Sequence, residues 1–367
     1  MTPRCRWACA LFLVSAASTL PAAAARRTEN VILVTTDGLR WQEVFAGADE
    51  ALLAKEAGVR DVPGLRRDFW RESPEERREA LLPFFWSVVA REGQVFGHLP
   101  RGSAARVTNG HNFSYPGYNE ILSGRADPGV DSNDKKPNPN VTVLEWLNGR
   151  APYRGRVAAF CSWDVFPWII NRERSGVLVN AGFEPVPGTG ERIATLNELM
   201  AETTPPEDSV RADSFTFMAA LHHLRTARPR VLYLGLGETD DWAHAGRYDR
   251  YLRSAHRFDV YLRRLWQALQ SMPQYRGKTS LVITTDHGRG EAANAAWKGH
   301  GAKVPGAEDI WIAVLGPDTP PLGERGDTEA LTQGQVAATV AALLGEDFPA
   351  AMPGVAPPVR AVLPAGR

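Results

Sequence analysis

The chain has 367 residues, of which 44% are hydrophobic and 23% charged, and its 42 basic residues balance 42 acidic ones. That length and balance fit a globular protein with a sizeable core, of one large domain or two ordinary ones. Zero net charge gives no sign of a nucleic-acid-binding surface or of an acidic tail.

Residues 1–25 read as a secretory signal peptide: Arg4 and Arg6 supply a basic start, 8–20 a short apolar stretch, and 22–25 a run of alanines for cleavage. The apolar stretch is too short for a comfortable membrane span. The expected product is therefore periplasmic or secreted, with residues 26–367 forming one catalytic domain and no membrane span left after cleavage. Cys5 and Cys9 leave with the signal, so Cys161 stands alone and no intramolecular disulfide is expected. Its apolar neighbours mark it as an inert core thiol.

Residues 30–37 form the first expected strand, ending at Asp37-Gly38. Residues 42–80 are rich in Glu and Arg and read as an irregular surface excursion. The pattern then predicts an amphipathic helix over 81–91, a strand over 93–98 and a short helix over 116–122, with Gly124 beyond its end. A loop dense in Asp, Asn, Pro and Gly covers 127–140. A buried strand is expected over 156–162, and 181–212 reads as a loop with one short helical pattern. The remainder alternates: helix 213–226, a strand from Val231, helix 248–272, a strand from Leu281, strand 309–315 and helix 333–344 closed by Gly345. The Pro-rich end, 349–367, is expected along the surface. Strands alternating with helices predict an α/β/α sandwich around a mostly parallel sheet, with surface insertions and no linker between independent cores.

Three apolar runs end in aspartate: 31–37 (VILVTTD), 231–240 (VLYLGLGETD) and 281–286 (LVITTD). In an open parallel sheet, strand C-termini share one edge, where ligands bind. Three carboxylates there repel one another unless a cation lies between them. His244, four residues after Asp240, shares a helical face with it if the segment is helical, with Asp241 as a rival. His287 follows Asp286 directly, and His300 is flanked by glycines that let the backbone enter a crowded site. Carboxylate with imidazole suits zinc, and manganese or iron also fit. His98, His222, His223 and His256 read as packing or surface residues; His111, close to Ser114, keeps a claim on the site. Ser114 opens a helix, where it is either a simple N-cap or a nucleophile beside free backbone N–H groups.

Asp37, Ser114-Tyr-Pro, Asp240-x-x-x-His244, Asp286-His287-Gly and Gly299-His300-Gly, in that order, resemble the alkaline phosphatase superfamily, especially its nucleotide pyrophosphatase/phosphodiesterase-like branch. The resemblance implies two divalent metal ions, usually zinc: one held by Asp240, His244 and His300, the other by Asp37, Asp286 and His287 and also binding Ser114. It implies that Ser114 attacks a phosphate ester, monoester or diester, of a small-molecule substrate, and that Asn133 contacts a phosphoryl oxygen. Two features depart from the superfamily's patterns. Formylglycine sulfatases need Arg four residues after the nucleophile, where this chain has Tyr118, and the phosphodiesterase branch has Asn-His where this chain has Gly117-Tyr118. A sulfatase-like or phosphonate-ester hydrolase is the alternative, and a non-catalytic metal-binding protein a further one. Lys298 reads as a solvated side chain or a phosphate contact; Trp41, Trp163 and Trp242 as core or pocket walls. The oligomeric state has no signature in the sequence.

Overall fold

The computed structural model describes residues 26–204 and 208–364. The expected signal peptide lies outside the described residues. The strands, in chain order, are β1 (Asn30–Thr36), β2 (Gln94–Phe96), β3 (Ala105–Arg106), β4 (Val157–Cys161), β5 (Leu178–Ala181), β6 (Val231–Leu236), β7 (Thr279–Thr284), β8 (Ile312–Leu315), β9 (Gly323–Glu324) and β10 (Leu331–Thr332). Eight of them build one sheet in the order β5-β4-β6-β1-β7-β8-β2-β9, and β10 pairs with β3 separately. The stretch from β5 to β7 is parallel throughout; β8 runs antiparallel to both β7 and β2.

Helices α1 (Trp41–Ala46), α2 (Val62–Phe69) and α3 (Pro74–Leu81) precede β2. Between β3 and β4 come α4 (Ser114–Ser123) and α5 (Val143–Gly149), and between β4 and β5 α6 (Phe166–Ile169) and α7 (Arg172–Ser175). Then follow α8 (Glu191–Glu202), α9 (Asp213–Thr226), α10 (Glu238–His244), α11 (Tyr248–Ser271), α12 (Gln335–Leu344) and α13 (Phe348–Ala351). Side chains of β1 alternate between two cores: Ile32 and Val34 pack with α1–α3, α9 and α11, while Val31 and Leu33 pack with α4, α5 and α12. This is a three-layer α/β/α sandwich with a mostly parallel sheet, as its apolar runs predict.

The 42–80 segment is not an irregular excursion. Val44, Phe45, Leu65 and Phe69 lie in the core, and Ser73 and Glu76 form a complete capping box at the start of α3. The 81–91 helix is present but not α-helical throughout. It runs over 83–92, after α3 has ended at Leu81, and its middle, Phe85–Ala90, is wound as a π-helix, with the N–H groups of Phe84 and Phe85 donating to the buried carboxylate of Asp259. α8 gives the 181–212 loop a helix of 12 residues. The described part of the C-terminal stretch lies along the surface, pinned to the core by the buried Val359 and Val362. Cys161 is fully buried, and burial pushes its thiol pKa well up, as expected of an inert core residue.

Candidate active site

The ends of β6, β1 and β7 lie side by side, because β1 pairs with both neighbours in register up to Thr36 opposite Leu236 and Thr35 opposite Thr284. Asp37 leaves the central strand, Asp286 and His287 leave β7, and β6 leads into α10, which carries Asp240 and His244. Gly38 turns the chain at φ +58°, and a Cβ there would lie 2.8 Å from Arg289 Nε and 3.0 Å from His287 Cε1. Only glycine fits this turn.

Asp37, Asp286 and His287 form a buried cluster whose ligand atoms all lie within 4.8 Å of one another. His287 Nε2 is 3.2 Å from Asp37 Oδ1 and 3.4 Å from Asp286 Oδ2. These three atoms are buried without a hydrogen-bond partner. The opposite atom of each of the three side chains is occupied. Tyr118 Oη donates to Asp37 Oδ2 at 2.9 Å, the Gly38 N–H donates to Asp286 Oδ1 at 3.1 Å, and His287 Nδ1 lies 2.9 Å from the Gly288 carbonyl. Unpaired buried donor atoms of this kind are costly in a protein without a cation and fit one well.

The second group whose ligand atoms lie within 4.8 Å of one another is Asp240, His287 and His300, so His287 stands in both groups, and His244, expected with Asp240 and His300, lies at its open edge. His244 Nε2 is 3.3 Å from Asp240 Oδ2 and 2.9 Å from His300 Nε2, and His300 Nε2 is 3.7 Å from Asp240 Oδ1. The ring of His300 stacks on His287 at 3.9 Å, and its Nδ1 lies 3.2 Å from the carbonyl of Asn112, two residues before Ser114. His244 remains 46% exposed, whereas His287 is fully buried.

The electrostatics follow from this crowding. Burial, then the charge of Asp37, holds the Asp286 carboxyl well above the usual carboxylate range. Burial works against a charged His287, but Asp286 and Asp37 outweigh it and push its pKa up to about 9. Burial and the neighbouring His287, Arg289 and His244 hold His300 far below the ordinary imidazole value.

Ser114 is the first residue of α4, and Phe113 is the N-cap, so the serine does not serve as a cap. Its Oγ makes no hydrogen bond to a described residue and lines a cleft of about 260 Å³ with Asp37, Asn133, Trp163, Asp240, His244 and His300. Asn133 sits at the N-terminus of α4: its Oδ1 accepts the Tyr115 N–H at 3.0 Å, which leaves its amide N–H groups for a ligand. The 127–140 loop is tied to α4 through Asn119, whose Oδ1 accepts from both Asn138 and Asn140. Buried Glu120 holds the approach to Ser114 by accepting from the backbone and side chains of Thr108 and Asn109.

Gly117 explains one departure from the motif. A Cβ there would lie 2.3 Å from the Asp286 carbonyl oxygen, so α4 packs directly on the backbone of the β7 end. Gly117→Ala is expected to push α4 away, costing about 1–3 kcal/mol of stability by denaturant unfolding and weakening metal uptake.

Two further residues belong to the site: Arg289, which no motif marks, and Tyr118, which the sequence marks only as a departure from the nucleophile motif. The buried guanidinium of Arg289 donates to the carbonyls of Gly38, Lys298 and Asp240 at 3.1, 2.8 and 3.3 Å and pairs with the Asp240 carboxylate. Its place directly after Asp286-His287-Gly288 was the available signal; for Tyr118 it was the four-residue step from Ser114. Of the other residues in question, Trp163 and Asp241 line the cleft, while Lys298 does not. Trp41 packs near His98 and Trp242 under Arg250. His111 lies beside Phe113, outside both clusters.

No family model and no curated protein matches the chain. Solved structures do. A protein in the alkaline phosphatase superfamily from Vibrio parahaemolyticus is similar at a TM-score of 0.53 and 14% identity, over 92% of this chain and 71% of that one. A 2-O GAG sulfatase is similar at 0.58 and 15%, over 93% and 75%. Murine ectonucleotide pyrophosphatase/phosphodiesterase 5, an inactive form in complex with AMP, is similar at 0.53 and 10%, over 87% and 96%. The chain thus has the alkaline-phosphatase-like fold.

Proposed function

We propose that the chain is a hydrolase of phosphate esters that works through Ser114 and two divalent cations, zinc by the chemistry of the donors. Asp37, Asp286 and His287 would hold one cation, and Asp240, His244 and His300 the other. One observation carries this reading: buried ligand atoms of Asp37, Asp286 and His287 without hydrogen-bond partners converge beside a serine hydroxyl that caps nothing. When bound, the cations supply positive charge for the serine oxygen and for the leaving oxygen. Ser114 Oγ gives up its proton and attacks phosphorus, the ester oxygen departs as an alcohol, and water then cleaves the phosphoserine. Asn133 donates its amide to a non-bridging oxygen.

Among the described residues, the cleft lining contains no Lys or Arg. A dianionic monoester would there meet only the cations and Asn133, so the arrangement favours a phosphodiester. A sulfate ester is also monoanionic, and a sulfatase is among the similar structures. Against that second reading stands Tyr118 in place of the arginine of the formylglycine motif. Export rests on the sequence of residues 1–25; among the described residues, no helix is long and apolar enough to cross a membrane.

The test is metal analysis of purified protein followed by parallel rates on p-nitrophenyl phosphate, a bis-p-nitrophenyl diester, a phosphonate ester and a sulfate ester. Two equivalents of metal are expected, with the diester favoured over the monoester by about tenfold or more, some 1.4 kcal/mol of transition-state discrimination. Turnover of the sulfate ester alone would overturn the proposal.

A further inference from the structure

Each ligand of the buried cluster has its non-ligating atom fixed by a partner. For Asp286 and His287 those partners are backbone groups, the Gly38 N–H and the Gly288 carbonyl. For Asp37 the partner is a side chain, the hydroxyl of Tyr118. Tyr118 lies four residues after Ser114 on α4, so the two share a helical face. Its ring is buried and set edge-on against Phe166 at 4.7 Å. The phenol therefore has one orientation, and its proton has one buried carboxylate to meet.

We propose that Tyr118 is a positioning residue that turns Asp37 so that Oδ1 faces Asp286 and His287, and that thereby couples the nucleophile's helix to the first cation. This rests on the reading of Asp37, Asp286 and His287 as metal ligands. The same contact accounts for the chain's second motif departure: the position that carries Arg in sulfatases here serves the metal ligand instead of the nucleophile. Gly117 makes the contact reachable, because its missing Cβ lets α4 settle on the β7 end.

Tyr118→Phe keeps the ring and removes only the hydroxyl. Competition with a chromogenic chelator is expected to show about 10- to 100-fold weaker zinc affinity for the tighter site, the usual scale for losing an outer partner of a ligand. kcat on the diester should fall at limiting zinc and recover at saturating zinc, with KM unchanged, and the absorption bands of the cobalt-substituted protein should shift. Tyr118→Ala, which also removes the packed ring, should in addition lower the melting temperature of the metal-free protein, separating the structural role of the ring from the role of the hydroxyl. Zinc affinity within about twofold of wild type in Tyr118→Phe, below the range expected for an outer-partner loss, would overturn the proposal while leaving the reading of the site intact. A wild-type protein that takes up no metal would instead overturn the reading itself.

Discussion

Ser114→Ala should lose hydrolysis by roughly 10⁴- to 10⁶-fold, the scale on which removal of a covalent nucleophile acts, and yet keep its metal and its stability. The reason for the separation is local. The Ser114 hydroxyl neither caps α4 nor bonds to another described residue, so its removal breaks no structural contact. The ligand sets stand on β1, β7, α10 and the loop before His300, with their outer partners elsewhere, so metal content should remain at the wild-type level. Unfolding free energy should change by less than about 0.5 kcal/mol, as for a substitution outside any buried network. The measurement is steady-state turnover of the favoured ester, with metal analysis and denaturant unfolding on the same preparations. Retention of a tenth or more of the activity would mean that water attacks phosphorus directly, and the two-step displacement would be abandoned.

The site's frame was legible because its logic lies along the chain. Each of three apolar runs ends at a carboxylate, and parallel pairing of β6, β1 and β7 brings those ends to one edge whatever the lengths of the connections. His287 and His300 were legible for the same reason, standing at a strand end and between glycines. What was not legible depends on packing between distant segments. Tyr118 stands in the sequence only as a departure from a motif, and its role appears when Asp37 lies against it; that of Arg289 appears when its guanidinium reaches the Gly38 and Lys298 carbonyls. The 42–80 segment misled because its charges dominate the composition, while few apolar side chains, such as Leu65 and Phe69, fix its helices to the core. There the signal existed: Ser73-Pro-Glu-Glu76 is a capping box, and Leu65 and Phe69 stand four residues apart. The π-helical turn at Phe85–Ala90 had none, since it depends on Asp259 of α11 accepting two backbone N–H groups from another part of the chain.

Asp286→Asn should shift stability in opposite directions with and without metal. The wild-type side chain is fully buried, and its carboxylate stands among Asp37 and His287 with Oδ2 unpartnered. Without a cation, holding two carboxylates this close costs on the order of a few kcal/mol. Asn has nearly the same volume and its Oδ1 can still accept the Gly38 N–H, so the metal-free variant should melt at a higher temperature than metal-free wild type. The sign with pH agrees. Because the folded-state pKa of Asp286 is raised, the metal-free native state holds its proton longer than the unfolded chain does. Wild-type stability therefore falls as pH rises above the ordinary carboxylate range near 4, and the advantage of the variant grows over the same interval. With zinc present the order should reverse. A ligand at about 1,000 times its dissociation constant stabilises the native state by about 4 kcal/mol, and the variant forfeits much of that with one carboxylate gone from the cluster. Thermal melts at pH 7.5, with chelator and with excess zinc, would show the crossing, and turnover should fall by about 10³-fold or more, as for loss of transition-state charge stabilisation. If the zinc-dependent rise in melting temperature survived in Asp286→Asn at its wild-type size, Asp286 would not be a ligand, and the buried cluster would need another explanation for its unpartnered atoms.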